Sequence, residues 1–580
     1  MPLDAAVTAP APTVRMRREG AMPDLERVAA AIGVAPLTAH LVWSRGVDDE
    51  ASMRRMLAPS LGQLRPPTQM AGFEAALDLL EEAKAQGWRV GIFGDYDVDG
   101  VTTATILSGY LEALGLEVVV RVAQRERGYG FGVADAQALH QAGATLVLCG
   151  DTGTSDLEAL GWLREHGVKS VVIDHHQVPE VVPPTDALIN PHQEGCGFPF
   201  KGLCSAGVAF YLCAGLRTRL AKRTQARLPD PRTLLDLVAL ATVCDMMPLC
   251  DENRVLVASG LRHLQKRGRP GVAALLDRAG VDALEPLDAA HLGFKLGPRI
   301  NAPGRLGPAE PALHLLRART PAEAGPLADR VDMLNEQRKR QTERIKAEAS
   351  ALLSADPKLA ERAGLVVAHD RWAAGVVGIA ATGLVEQFDR PVAVLGIDAA
   401  RGIARGSVRS CGGVDVRAAL AECAALLERF GGHREAAGLT LAADNVDAFV
   451  DAFDAAVALQ RAQVPAPEDE EIVDAQVPLC DIGVELCDSI RRAGPFGMGF
   501  DAPRFIARGC EVVGTRVLKE RHLALTLAQD GHKADAIAFG MAHLEPPRRS
   551  RVDLVFVPQL DVFRGVVRVK MHVQRLWRSL

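Results

Sequence analysis

The sequence predicts an α/β protein in which two α/β domains are joined by a long helix and followed by a small all-β domain. Strand-like and helix-like segments alternate over residues 72–173, which is typical of a parallel sheet with helices on its faces, and a second α/β unit is expected at about 364–455. A highly charged helical pattern covers residues 323–355, and residues 505–580 alternate apolar and polar side chains as β-strands do.

The bulk composition describes an ordinary globular protein of several domains. The chain has 580 residues, of which 48% are hydrophobic and 24% charged, and about three or four domains are expected at this length. No run of about 18 uncharged apolar residues occurs, and the N-terminus lacks the apolar core of a signal peptide, so we expect a cytoplasmic protein without a membrane span. The eleven cysteines form no Cys-x-x-Cys pair and are expected to be reduced.

The first α/β domain is predicted element by element. Strands are expected at 90–93, 117–122, 145–149 and 169–173, with a helix at 73–86 before the first strand and helices at 101–114 and 155–166 between later strands. Gly167 follows the last of these helices as a stop signal. In such parallel sheets, ligands bind outside the carboxyl ends of the strands.

Acidic and imidazole side chains follow three of these strands directly. The strand at 90–93 is followed by three alternating aspartates, that at 145–149 by Asp151, and that at 169–173 by an Asp-His-His triplet. Crowded carboxylates repel one another unless a hard cation holds them together. The sequence therefore predicts a divalent-metal site at one edge of the sheet. Its candidate residues are Asp95, Asp97, Asp99, Asp151, Asp174, His175 and His176, with Asp245 at the end of the apolar segment 237–243 as a further acid.

The first acidic cluster has two other interpretations. A calcium loop of the EF-hand type needs Glu at its twelfth position, which is Ile106 when counted from Asp95. An acidic turn in which a carboxylate caps a helix remains open for this cluster alone. The matching clusters after two other strands favour the metal site.

The later segments are predicted from charge and periodicity. The pattern at 323–355 has too few apolar residues for a core helix, so we expect a connector between domains. Residues 465–471 read as an acidic linker. Residues 511–580 carry 12 Lys and Arg against 7 Asp and Glu, which fits either an OB-like barrel that binds single strands or an ordinary β domain with a slightly basic surface.

These motifs resemble the DHH phosphoesterase superfamily and, within it, the RecJ family of single-strand-specific DNA exonucleases. The resemblance covers most of the chain, from about residue 57 to the end of the β domain. Its most specific segments are 94–100 (GDYDVDG), 150–153 (GDTG), 174–176 (DHH), 206–210 (AGVAF), 234–240 with 243–249, 297–305 (GPRINAPGR), 431–438 (GGHREAAG) and 495–499 (PFGMG).

The resemblance implies a domain order. A parallel-sheet DHH domain and a smaller α/β DHHA1 domain would be joined by the long helix, with an OB-like barrel at the end. The predicted segments are a disordered N-terminus (1–20), N-terminal helices with the DHH domain (21–260), a helical region with the connecting helix (261–355), the DHHA1 domain (356–460), a linker (461–475) and the OB-like nucleic-acid-binding domain (476–580).

The resemblance also implies the reaction, which is metal-dependent hydrolysis of single-stranded DNA from the 5′ end to mononucleotides in recombination and repair. Two Mn²⁺ or Mg²⁺ ions would be bridged by Asp151, and oxygen ligands with one imidazole suit these ions better than zinc. Asp95 and Asp174 would orient the ligands, and His176 would contact the scissile phosphate or protonate the leaving oxygen. The implied metal ligands are Asp97, Asp99, Asp151, His175 and Asp245.

Substrate contacts follow from the same resemblance. Either Arg125 or Arg127 would hold the 5′ end together with Tyr129, because the spacing in this loop is one residue shorter than in the family. Further implied contacts are Ser407 and Arg409 in a 5′-phosphate pocket, Arg299, Asn301 and Arg305 on other phosphates, and Gly432 with His433 near the nucleotide. Two positions depart from the family pattern, where Ala373 replaces a His and Phe500 replaces an Asn.

Partners and alternatives complete these expectations. Single-stranded DNA is the expected partner, a helicase and a single-strand-binding protein would supply it, and we expect a monomer. One alternative is a DHH-family phosphodiesterase for short oligonucleotides or cyclic dinucleotides. Another is a non-catalytic DNA-binding scaffold, against which the intact set of implied metal ligands argues.

Overall fold

A computed structural model describes residues 11–125, 130–355, 361–463, 469–563 and 566–579. It confirms the predicted fold class of two α/β domains, a long helix and a C-terminal β-barrel. The chain divides into two compact units. The central unit contains residues 66–247 and 260–467, and the terminal unit contains residues 1–65, 248–259 and 468–580.

Strands and helices are named in chain order within the described residues. The strands are β1 (Thr13–Met16), β2 (Arg89–Gly94), β3 (Glu117–Val122), β4 (Leu146–Gly150), β5 (Lys169–Ile173), β6 (Ala187–Ile189), β7 (Leu365–His369), β8 (Val392–Asp398), β9 (Ile403–Arg409), β10 (Arg429–Gly432), β11 (Ala436–Ala442), β12 (Glu470–Val473), β13 (Ala475–Gln476), β14 (Phe505–Leu518), β15 (His522–Gln529), β16 (His532–Ala538), β17 (Arg551–Phe563) and β18 (Val566–Arg578). The α-helices are Leu25–Ile32, Pro36–Trp43, Glu50–Leu57, Phe73–Gln86, Val98–Ala113, Val133–Gln141, Leu157–Glu165, Ser205–Ala221, Leu235–Cys244, Asp251–Gln265, Pro270–Arg278, Gly297–Leu306, Glu310–Arg317, Pro321–Ala355, Ala374–Phe388, Val416–Glu422, Val446–Gln463 and Val484–Ala493.

The first sheet of the central unit is fully parallel, in the order β3-β2-β4-β5-β6. Its central strands are apolar and buried because helices cover both faces. The helix after β2 begins at Val98, three residues before the predicted start, because Asp97 caps it by accepting a 3.1 Å hydrogen bond from the Gly100 N–H. The turn between strand and helix is therefore very short.

The second α/β domain is a mixed sheet in the order β10-β11-β9-β8-β7. Only β7 and β8 are parallel, whereas the other neighbours are antiparallel. Helix Ala374–Phe388 packs against β8 and β9, and helix Val446–Gln463 packs on the other side with Phe449 and Phe453 in the core.

The connector predicted at 323–355 is helix Pro321–Ala355. One face of it is buried, so the helix is amphipathic along its length although its overall composition is polar. The buried positions are Ala324, Ala328, Val331, Asn335, Thr342, Ile345, Ala349 and Leu353.

The terminal unit contains the barrel. Strand β14 pairs with both β15 and β17, and the circuit closes through β16 and β18, as expected for an OB-like domain. Helices Leu25–Ile32, Pro36–Trp43 and Glu50–Leu57 belong to this unit, whereas the sequence grouped them with the first α/β domain.

Two segments are more ordered than the sequence predicts. Strand β1 pairs with β12, so the expected disorder over residues 1–20 was wrong for Thr13–Met16, and the expected linker over 461–475 contains β12. The buried Asp474 explains this, because its carboxylate binds the guanidinium groups of Arg17 at 3.0 Å and Arg45 at 2.7 Å. Such long-range ion pairs leave no local sequence signal. Residues 1–10 and 464–468 lie outside the described residues.

In the described part of the chain, no single helix is long and apolar enough to cross a bilayer. The bent pair Leu25–Ile32 and Pro36–Trp43 meets the requirement jointly, by length and composition alone.

Candidate metal centre and phosphate-binding residues

The structure brings the predicted acidic and imidazole residues together at the carboxyl edge of the parallel sheet. Asp95, Asp151 and Asp174 each follow directly on β2, β4 and β5. Asp245 arrives differently, because it caps the C-terminus of helix Leu235–Cys244 rather than ending a strand. Three groups could each hold a cation, with ligand atoms within 4.8 Å of one another: Asp151, Asp174, His175 and His176; Asp99, His175 and Asp245; and Asp95, Asp97 and Asp151.

His175 lies at the middle of this cluster. Its Nε2 atom is 3.3 Å from Asp151 Oδ1, 3.3 Å from Asp245 Oδ2 and 3.7 Å from Asp99 Oδ2. Despite this proximity, His175 Nε2, Asp95 Oδ1 and Asp245 Oδ2 are buried and make no hydrogen bond within the described residues. Because buried polar atoms almost always have a hydrogen-bond partner, these three unpartnered atoms indicate that a ligand binds between them. Carboxylate oxygens with one imidazole fit a hard divalent cation.

The helix Ser205–Ala221 positions Asp99. The backbone N–H groups of Ser205 and Ala206 donate hydrogen bonds of 2.7 and 2.9 Å to the two oxygens of its carboxylate. These are unsatisfied donors at the helix N-terminus, where the macrodipole also favours a negative charge. The Ser205 hydroxyl lies 3.4 Å from Asp151 Oδ1 and donates to it. The start of the helix that contains the motif at 206–210 therefore fixes the carboxylate of Asp99 through hydrogen bonds.

Tight backbone geometry holds the first acidic turn. A Cβ on Gly100 would lie 2.4 Å from the backbone nitrogen of Asp95, so only glycine allows the helix start to approach the turn this closely. The backbone of Asp151 has a φ of 61°, in the left-handed region that residues other than Gly rarely adopt. Such conformations cluster at functional sites.

Asp174 and His176 form a second arrangement. Asp174 Oδ1 accepts hydrogen bonds from the backbone N–H groups of His175 and His176 and lies 2.7 Å from His176 Nδ1. Burial alone would raise the pKa of Asp174, but the bond to His176 holds it below its usual range. Burial opposes protonation of His176, yet its bond to Asp174 raises the pKa of this imidazole to about 9.

The other carboxyl groups show the opposite shift. Burial first, and then the neighbouring aspartates, raise the pKa of Asp151 well above its usual range. Burial and the charge of Asp97 raise the pKa of Asp95 to about 8, and burial and the charge of Asp99 raise that of Asp245 to about 8. The cluster carries more negative charge than its own residues can neutralise, as expected for a cation site.

A cleft of about 290 Å³ opens beside the cluster. The Arg125 guanidinium lies 4.1 Å from the centroid of the Tyr96 ring and donates a hydrogen bond to the Gly304 carbonyl. Tyr96 and Cys244 were missed by the sequence reasoning, although each is adjacent to an acid that it identified. The lining residues are Asp95, Tyr96, Asp97, Arg125, Asp151, His176, Cys244, Asp245, Asn301 and Arg305.

Arg299 does not line this cleft, in contrast to the neighbouring Asn301 and Arg305. Its Nε donates a 2.8 Å hydrogen bond to Asp332 of the connector, and its Nη1 donates to the Lys295 carbonyl. These contacts favour an anchoring role for Arg299 over the phosphate contact that the resemblance implied. Arg127 and Tyr129 lie outside the described residues, so the choice between Arg125 and Arg127 remains a prediction.

The predicted residues of the second domain meet along its sheet. Arg409 Nη1 donates a 2.6 Å hydrogen bond to the Ser407 hydroxyl, which in turn donates to the Ala437 carbonyl. Gly432 pairs with the same Ala437 and has a φ of 137° that only glycine accommodates well. His433 follows it as an exposed residue. Burial lowers the pKa of Arg409, and none of the described carboxylates forms an ion pair with it.

Helix Ala374–Phe388 lies against both this pocket and the cleft. The Gly375 carbonyl accepts a hydrogen bond from Arg305 Nη1, and a Cβ on Gly378 would lie 3.0 Å from Arg409 Nη2. Ala373, one of the two departures from the family pattern, is the N-cap of this helix and provides no side-chain cap.

A parallel sheet with an Asp-His cluster at its carboxyl edge, followed by a second α/β domain that carries phosphate-binding candidates, defines a DHH phosphoesterase. Residues 89–242 match the N-terminal domain of the DHH family, residues 362–459 the DHHA1 domain, and residues 473–575 the RecJ OB domain. The chain belongs to the RecJ family, which confirms the resemblance found in the sequence.

Relatives and solved structures support this membership. The chain is 33% identical to the single-stranded-DNA-specific exonuclease RecJ of Escherichia coli over 93% of its own length and 96% of that protein. It is 33% identical to the Bacillus subtilis RecJ over 92% of its length, which covers 66% of that longer protein. The crystal structure of RecJ in complex with Mn²⁺ from Thermus thermophilus superposes with a TM-score of 0.82 at 30% identity, over 98% of this chain and 80% of that chain.

Proposed function

We propose that the protein is a metal-dependent 5′-to-3′ exonuclease that degrades single-stranded DNA to 5′-mononucleotides in recombination and repair. The observation that carries this proposal is that the groups of residues able to hold a cation overlap. Asp151 belongs to two of these groups, and so does His175. Two adjacent cation sites with a common carboxylate are the arrangement that phosphodiester hydrolysis uses. RecJ relatives named as single-stranded-DNA-specific exonucleases support the substrate.

The proposed ligands of two Mn²⁺ or Mg²⁺ ions are the five residues that the resemblance implied. Bound there, the ions would act as Lewis acids and lower the pKa of an attacking water. The orphaned oxygen of Asp95 also makes this residue available as a ligand, beyond the orienting role first expected. The proposed ligands are Asp97, Asp99, Asp151, His175 and Asp245. The choice of metal is supported by the related Thermus thermophilus structures, which contain Mn²⁺ and Mg²⁺.

His176 and Asp174 are proposed to act on the scissile phosphate. Asp174 fixes the imidazole through Nδ1, and its hydrogen bond raises the pKa of the imidazole to about 9. A protonated imidazole at the cleft can donate a hydrogen bond to a phosphate oxygen and a proton to the leaving oxygen. Asp174 itself has both oxygens occupied by hydrogen bonds, which supports an orienting role.

The arginine-bearing walls are proposed to hold the strand. Arg125, Asn301 and Arg305 line the cleft beside the metal cluster, where guanidinium groups suit phosphate oxygens. Ser407 and Arg409 would bind the 5′-phosphate, with support from Gly432, His433 and, by resemblance alone, Tyr129.

The wider setting is proposed from family membership. The predicted domain boundaries, apart from the N-terminal segments and the linker corrected above, give a DHH domain, a DHHA1 domain and an OB-like domain that adds contacts to single strands. We propose that a monomer works in the cytoplasm on strands opened by a helicase and covered by a single-strand-binding protein.

The test uses 3′-labelled, 5′-phosphorylated single-stranded DNA with the purified protein and Mn²⁺ on a denaturing gel. We expect progressive shortening of the labelled strand, and none with a chelator. Early release of the label as a mononucleotide would mean the opposite polarity. An unchanged strand that is nevertheless bound would favour the scaffold, and cleavage restricted to oligonucleotides of two or three residues would favour the short-oligonucleotide phosphodiesterase.

A further inference from the structure

Along the connector helix, two residues bury polar side-chain atoms that have no hydrogen-bond partner among the described residues. Asn335 is fully buried in a stripe otherwise made of apolar side chains and Thr342, yet its Oδ1 and Nδ2 atoms have no hydrogen-bond partner among the described residues. Arg338, one turn further on the same face, is half-buried, and its Nε has no partner there either. Burying polar atoms without hydrogen-bond partners lowers the stability of a protein. The unpartnered atoms of Asn335 and Arg338 therefore indicate that a ligand binds there.

The charges around Arg338 point to an anion. The connector packs along helix Gly297–Leu306, which carries Arg305. Burial and the positive charges of Arg125 and Arg338 lower the pKa of Arg305 to about 10. Burial lowers the pKa of Arg338, and the charge of Glu336 on the connector, which raises it, is shared with Lys339 at 2.7 Å.

The same cluster of cations extends to Arg409. Arg305 and Arg409 both contact the first two turns of helix Ala374–Phe388. Among the described residues, no ion pair joins Arg305, Arg338 or Arg409 to a carboxylate. Like charges gathered in a half-buried place repel unless an anion lies between them.

We propose that Arg338 is a phosphate-binding residue of the strand-binding cleft and that Asn335 positions it, so that the connector itself takes part in substrate binding. The inference rests on the proposed function, because the anion is a phosphate of the single strand. A guanidinium presents several donors to phosphate oxygens, and the polar atoms of Asn335 can hold a bridging water against Arg338. Asn335 and Arg338 therefore occupy positions on the helix where apolar side chains would pack better, and their role there is to bind a phosphate.

The first test measures binding of a fluorescent, 5′-phosphorylated single strand of 12 nucleotides in chelator, at salt concentrations from 50 to 200 mM. Arg338→Met keeps the apolar stem and removes the charge, and Arg340→Met removes an exposed charge on the opposite face as the matched control. For Arg338→Met we expect about fivefold weaker binding and a log–log salt slope that is shallower by about 0.7, as for one lost phosphate contact on a single strand. Arg338→Lys should restore the slope.

Strands with a 5′-hydroxyl distinguish the source of the phosphate. An equal loss for both strands assigns Arg338 to an internal phosphodiester, and a loss only for the phosphorylated strand assigns it to the terminal phosphate. Equal slopes for wild type, Arg338→Met and Arg340→Met would overturn the inference while leaving the exonuclease proposal intact. If the wild-type protein neither binds nor shortens strands, the proposed function fails and the inference fails with it.

Asn335→Leu gives an independent readout. Since the substitution removes two unsatisfied polar atoms from a buried stripe, we expect a melting temperature at least as high as wild type together with severalfold weaker strand binding. A residue that served folding alone would show the reverse, with lower stability and normal affinity, and that result would overturn the positioning role.

Discussion

The acidic cluster and the arginine cluster of the central unit are built in opposite ways. The acids come from strand ends and from the ends of two helices, and they are fixed by backbone N–H groups, as Asp99 and Asp174 are. The arginines reach in from separate elements and are held by carbonyls and a hydroxyl, as Arg125 and Arg409 are. Short side chains need a scaffold that converges on the ligand, whereas long side chains can converge from a distance.

The largest expected effect concerns the carboxylate shared by two cation groups. Asp151→Asn keeps the shape of the side chain but removes the charge that would bridge two ions, so hydrolysis with Mn²⁺ should fall by about a thousandfold or more. Strand binding in chelator should be nearly unchanged, because the arginine cluster is untouched. The matched control Asp447→Asn changes an exposed aspartate of the same unit and should retain full activity. Near-normal hydrolysis by Asp151→Asn would refute the assigned centre.

The two clusters should also differ in their response to pH. Asp95 and Asp245 have a pKa of about 8 without a cation, so they hold protons below that pH and must lose them to bind Mn²⁺. We expect the affinity for Mn²⁺ to rise by up to about a hundredfold from pH 6.5 to 8.5, with proton release measurable by calorimetry in two buffers.

Strand binding in chelator should weaken over the same range, because the guanidinium groups remain charged while Asp95 and Asp245, which line the same cleft, become negative without a cation. An affinity for Mn²⁺ that does not depend on pH would contradict the crowding of carboxylates described above.

A smaller effect is expected at the proposed 5′-phosphate pocket. Arg409→Met should lower kcat/KM for 5′-phosphorylated strands by about tenfold to a hundredfold, since a charged hydrogen bond to phosphate is lost. The value for 5′-hydroxyl strands should hardly change, so the preference for a 5′-phosphate should collapse. An equal loss on both strands would assign Arg409 to general strand binding instead.

The smallest effect on activity is expected at Arg299. Because its guanidinium binds Asp332 of the connector, Arg299→Met should lower the free energy of unfolding by about 1–3 kcal/mol and leave kcat/KM within about threefold. Denaturant unfolding and steady-state kinetics measure the two quantities. A large loss of activity without a loss of stability would instead support the phosphate contact that the resemblance implied for Arg299.

The contrast between the clusters explains what could be predicted from the sequence. Strand ends in a parallel sheet meet at one edge, so Asp95, Asp151 and His175 could be placed together from local patterns alone. Asp245 could be identified as a candidate ligand but not placed, because its position depends on how a buried helix packs. Arg338 carried no signal, since a charged residue on a long polar helix is usually solvated.

The terminal unit teaches the same lesson. Strands β1 and β12 lie more than 450 residues apart and pair because the buried Asp474 ties Arg17 and Arg45 to this part of the unit. Neither strand is long or apolar, so disorder and a linker were the natural predictions. Interactions at such sequence separation have to be seen in three dimensions.

The central claim is that two cations share Asp151 at the edge of the parallel sheet. Crystals of the protein soaked in Mn²⁺, with anomalous diffraction measured near the manganese edge, test it most directly. The account predicts two peaks about 3.5–4 Å apart, each within coordination distance of an Asp151 oxygen and one of them also bound by His175. A single peak away from Asp151, or none at saturating Mn²⁺, would contradict it.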